Sequence, residues 1–65
     1  MRLRYVEIDY DTYHAVDENA VPVYWINRSP VWKNNWRAFT FEKRELVAER
    51  EYRNDLFEWL RLRHD

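Results

Sequence analysis

The 65-residue chain contains no glycine and no cysteine, and two prolines. Without cysteine there is no disulfide framework, no thiolate metal site and no cysteine nucleophile. Without glycine, phosphate-cradling loops, dinucleotide-binding fingerprints and the nucleophile elbow are excluded, since each needs a backbone approach that a side chain blocks. No apolar run nears the ~18 residues of a membrane span. The Met1-Arg2-Leu3-Arg4 start lacks the apolar stretch of a signal peptide, so a cytoplasmic location is expected. The length suits one small domain, near the lower limit for folding alone.

What is abundant is aromatic and charged. Four Trp, five Tyr and three Phe give the chain large rings with which to bury area economically. The same rings, together with Arg, dominate binding hot spots. Nine of the eleven basic residues are Arg, whose planar fork stacks on rings and clamps oxyanions. The formal net charge of −1 conceals an uneven distribution. Residues 1–20 set Arg2 and Arg4 against Glu7, Asp9, Asp11, Asp17 and Glu18, a balance of −3. Residues 21–41 hold Arg28, Lys33 and Arg37 with no acid, +3, and residues 42–65 come to −1. The basic middle third also carries Trp25, Trp32 and Trp36.

Alternation of side chains predicts a strand over 3–10, with Val6, Ile8 and Tyr10 on one face and Glu7 and Asp9 on the other. Extended stretches at 12–16 and 21–26 flank the polar connection Asp17-Glu18-Asn19-Ala20, which predicts a hairpin pairing Val16 with Val21 and Tyr13 with Tyr24. Asn19 is the expected carrier of positive φ in that turn. Pro22 cannot donate to a ladder, which places it at an edge or a bulge. Ser29-Pro30 and Asn34-Asn35 mark a loop, followed by a strand over 36–41. Thr40 then reads as the N-cap of a helix over 42–63, with Leu46, Leu56, Phe57 and Leu60 on one face.

The expected fold is therefore α+β: a single domain over 1–65, with a small antiparallel sheet of three or four strands and one long C-terminal helix on one face. Its expected core is Val6, Ile8, Val23, Trp25, Phe39, Leu46, Leu56, Phe57 and Leu60. A helix of that length would span about 33 Å and overhang such a sheet, which suggests a homodimer through the C-terminal helix.

For function, the residues point away from catalysis. Ser29, the single serine, precedes a proline with no base beside it, and His14 and His64 stand in no metal-ligand spacing. Glu7, Asp9 and Asp11 would project at about 7 Å intervals, too far apart for converging ligation. No catalytic, metal or cofactor residues are assigned. The expected activity is binding of another protein by an inhibitor, adaptor or accessory subunit, a role in keeping with small proteins of phages and other mobile elements. Trp32 and Trp36 would anchor the contact, with Arg28, Lys33, Arg37 and Tyr24 around them. The alternative is single-stranded nucleic acid, with rings stacking on bases and Arg on phosphates. Against it stand a pI of 6.1 and the acidic first third.

Overall fold

The computed structural model describes residues 2–29 and 35–64. Five strands, β1 (Arg4–Asp9), β2 (Thr12–Val16), β3 (Pro22–Arg28), β4 (Trp36–Thr40) and β5 (Leu46–Arg50), precede a helix α1 (Arg53–His64). The strands form one antiparallel sheet in the order β1-β2-β3-β4-β5. The α+β class with a C-terminal helix is as the sequence indicates; the fifth strand is additional.

That fifth strand corrects the expected helix over 42–63. Residues from Glu42 onward have good helix propensity, but propensity is a weak prior that tertiary pairing overrides. Thr40 ends β4 rather than capping a helix. Its N–H donates to the Glu45 carbonyl at 2.9 Å, its carbonyl accepts from the Arg44 N–H at 2.8 Å, and its Oγ1 accepts from the Glu45 N–H at 3.1 Å. Arg44 adopts φ 59°, the left-handed conformation that closes such hairpin turns. The chain thereby reverses, and Ala48 pairs with Ala38 inside the sheet. The helix that remains has 12 residues, about 18 Å. Asp55 lies in its first turn, and Arg61 and Arg63 in its last, each complementing the dipole. A helix this short does not overhang the sheet, so the length argument for a dimer through it no longer holds.

The β2–β3 hairpin forms with its register displaced by two residues. Tyr13 pairs with Ile26, His14 with Trp25, and Ala15 with Tyr24, and a bulge then sets Val16 opposite Pro22. Pro22 thus sits at an irregularity, as its missing donor requires. Asp17 organises the turn: its Oδ1 accepts from the N–H groups of Asn19 at 2.9 Å and Val21 at 3.0 Å. The positive φ falls on Ala20, at 62°, not on Asn19.

The helix covers one face. Beneath Leu56 and Leu60 lie Ala15, Tyr24, Ile26, Ala38 and Ala48, all buried, with Tyr5, Tyr13, Trp36 and Phe57 packed around them. The alanines let the helix approach the sheet closely, while the large side chains fill the margins. Leu56, Phe57 and Leu60 serve the core as expected, but the sheet contributes its other face. Val6, Ile8 and Leu46 are exposed and Trp25 and Phe39 are half-buried, while Val23, also half-buried, packs against the core as expected. Size alone does not pick the interior: the covered face of the sheet combines three alanines with Tyr24 and Ile26.

Candidate partner-binding surface

Alternation along a strand divides the mid-chain cluster between two faces. Trp36 lies on the helix side, where its ring meets Tyr13 edge-on at 5.9 Å and packs against the core. Arg37, one residue on, faces the opposite way, and its Nε lies 3.4 Å from Glu49 Oε1. Glu49 Oε2 also accepts from Asn35 Nδ2 at 2.8 Å. Arg28 ends β3 on the helix side, paired with Asp11 of the β1–β2 turn at 2.5 Å. Its guanidinium also lies 5.4 Å from the Tyr10 ring centre and 5.8 Å from that of Trp36. Both arginines are thus engaged by the chain's own carboxylates.

Tyr24, expected at the contact surface, is 5% exposed. Its partner Ala15 is also on the covered face, so the ring belongs to the core and is not presented to a partner. Trp32 and Lys33 lie outside the described residues. On either side of them, the Ser29 N–H donates to the Asn35 carbonyl at 2.8 Å and Arg28 pairs with Trp36.

The sequence-expected residues that are described, Tyr24, Arg28, Trp36 and Arg37, therefore do not form one surface. A different set does. On the face away from the helix, Val6 pairs with His14, His14 with Trp25, and Trp25 with Phe39, an apolar and aromatic row running across four strands. At the bulge of β5 the row ends on Leu46. The Trp25 and Phe39 rings lie 5.4 Å apart. Phe41, in the β4–β5 turn, meets His14 edge-on at 4.9 Å. The Arg44 guanidinium lies 4.6 Å from the Trp25 ring centre and 5.4 Å from that of Phe41. Beside this row runs a polar one, in which Thr12 pairs with Asn27, Asn27 with Arg37, and Arg37 with Glu49.

Sequence reasoning placed Trp25 and Phe39 inside and, with its helix over 42–63, singled out nothing at Arg44. One signal was available. Along Val23-Tyr24-Trp25-Ile26 both alternating faces are apolar, yet a single helix can cover one.

Among the described residues there is no enclosed pocket and no group of three or more His, Cys, Asp or Glu that could hold a metal ion. No helix of the described residues is long and apolar enough to cross a membrane. What the open face offers a partner is a surface on which to lie. No protein-family model matches the chain, and comparisons with curated proteins and with solved structures likewise give no match.

Proposed function

We propose that the protein is a non-enzymatic module that binds another protein through the open face of its sheet, occluding or bridging a site on that partner as an inhibitor, adaptor or accessory subunit. The observation that carries this reading is the row Val6, His14, Trp25 and Phe39, on a face that no element of the described residues covers. Contiguous apolar surface with a polar margin characterises interaction sites. Here the margin is Asn27 and the Arg37–Glu49 pair. The rings also suit the anchor role that aromatic residues take in hot spots. A cytoplasmic setting belongs to the same proposal.

Single-stranded nucleic acid is the second reading, favoured by rings on adjacent central strands of an antiparallel sheet. Charge disfavours it. The chain as a whole is at −1, and on the open face Arg37 is held by Glu49, which weakens the attraction for a phosphate backbone.

Quantitative affinity capture from the native host, comparing wild type with Val6→Asp and Trp25→Ala, tests the proposal. Val6 is 41% exposed, so its variant keeps the fold even if the Trp25 variant does not. The expected result is a protein retained by wild type after nuclease treatment and lost by folded Val6→Asp. Equal retention by the two, or capture abolished by nuclease, overturns it.

A further inference from the structure

Arg44 occupies a position that suits almost any small or permissive residue better. At φ 59° the Cβ of an ordinary L-residue is crowded, and glycine or asparagine is the usual occupant. The β4–β5 turn requires the left-handed conformation but nothing of the side chain, since its hydrogen bonds run through the backbone and Thr40 Oγ1. The chain nevertheless places an arginine there and lays it over Trp25 and Phe41. Residues held in sparsely populated backbone conformations cluster at functional sites.

Its electrostatic situation is a second, independent observation. Arg28 and Arg37 are in ion pairs with Asp11 and Glu49. Arg44, like Arg50, Arg53 and Arg63, forms no ion pair among the described residues; what sets it apart from these is that the rings beneath it, Trp25 and Phe41, belong to the open face rather than to the helix side. A guanidinium lying over rings contacts them with its carbon and π surface, while its N–H groups lie in its own plane and remain available at the edge. That edge is a donor fork of the geometry that receives a carboxylate.

We propose that Arg44 is the anion-recognition residue of the open face, and that the partner presents a carboxylate flanked by apolar side chains. This rests on the protein-binding reading and gives its partner a chemical class: an acidic, apolar protein segment lying along Val6, His14, Trp25 and Phe39 with a carboxylate on Arg44. A nucleic acid strand would call for a succession of cations along its path. The row Val6, Trp25 and Phe39 itself carries no cation; Arg4 stands on the same face beside Val6, and Arg44 lies over the Trp25 ring, an arrangement that matches a carboxylate among apolar neighbours.

The test uses the full chain and a short blocked peptide of alternating glutamate and leucine. The Trp25 indole N–H and Arg44 Nε–H resonances are followed by NMR, with a lysine–leucine peptide and oligo-dT as comparisons. The glutamate peptide is expected to shift both resonances and the lysine peptide neither. Arg44→Gln and Arg44→Gly should each weaken binding about tenfold or more, the factor lost with one charge-assisted pair. Arg44→Gly should melt no lower than wild type, because relief of the left-handed backbone offsets the lost ring contact. Equal shifts with the lysine peptide overturn the proposal, as does binding of oligo-dT alone. Lowered melting with intact binding makes Arg44 a structural residue and likewise removes it. Loss of binding in Val6→Asp with full binding in Arg44→Gln would keep the docking face and discard Arg44 as its anion site.

Discussion

The Tyr5 and Phe57 rings are stacked 3.9 Å apart and 8° from parallel, while the Tyr5 hydroxyl donates to the Phe57 carbonyl at 2.9 Å. One pair of side chains thus ties the first strand to the helix, across 52 positions of sequence. Phe57 also meets Tyr13 edge-on at 5.4 Å, and Arg53 Nη1 donates to the Tyr13 hydroxyl oxygen at 2.5 Å. The Tyr13 hydroxyl in turn donates to Glu7 Oε1 at 3.1 Å. The helix is therefore keyed to β1 and β2 as well as resting on β4 and β5.

Removing that hydroxyl while keeping the ring isolates the hydrogen bond. Tyr5→Phe should destabilise by about 0.5–1.5 kcal/mol, with an unchanged dependence on denaturant concentration. Tyr5→Ala, which also removes the stacked ring, should cost about 3 kcal/mol or more. Urea titration followed by far-UV circular dichroism measures both. Equal midpoints for wild type and Tyr5→Phe would mean that the hydroxyl adds nothing.

The left-handed Ala20 is a place where stability can be gained. At φ 62° its Cβ is in a crowded position that glycine avoids. Ala20→Gly should stabilise by about 0.5–1 kcal/mol, raising the melting temperature by several degrees in a domain of this size. Asn19→Gly, one residue earlier, should not. Reversed effects at these two sites would place the strained residue at Asn19.

The two faces of the sheet should respond oppositely to substitution. Ala38 is fully buried beneath the helix, so Ala38→Leu forces helix and sheet apart at a cost of about 1–3 kcal/mol. Val6→Thr, on the open face, should change stability by less than about 0.5 kcal/mol. Chemical denaturation of the two variants decides which face is the interior, and a costly Val6→Thr beside a neutral Ala38→Leu would invert the assignment.

Within the helix, Leu60 and Leu62 give a matched pair. Leu60 is fully buried and Leu62 is 63% exposed. Leu60→Ala should cost about 2–5 kcal/mol, a large share of the stability of so small a domain, whereas Leu62→Ala should be close to neutral. Thermal melts distinguish them, and similar losses at the two sites would mean that the helix is rotated from the orientation described.

The parts of the fold that could be read from sequence are those where local chemistry and tertiary context agree. The alternation in β1, the β2–β3 hairpin, Pro22 at its bulge, and the placement of Leu56, Phe57 and Leu60 are of this kind. β5 was illegible because its turn carries no glycine. Arg44 takes the left-handed position and Thr40 supplies the side-chain acceptor, so a hairpin reads as continuous helix-forming sequence. The interior of the sheet was hidden for a related reason. Apolar residues occupy both faces of β3, and the choice between them depends on where the helix lands. For the site, one correction was within reach, because adjacent residues such as Trp36 and Arg37 on a strand cannot share a surface. The Arg44–Trp25 contact was not within reach, since it joins a strand to a turn that the helical reading had dissolved.

The uninterrupted strand order has a kinetic consequence. Every strand pairs with its neighbours in sequence, so each successive hairpin can zip onto the last without a long excursion of chain, a topology associated with rapid folding. Once the sheet has formed, seating Phe57 on Tyr5 needs only the short reversal between β5 and α1 that turns the helix back over the strands. Until it happens, the meander can exist with both of its surfaces bare to water, and that half-finished sheet is the species in which this protein is most exposed to misassociation.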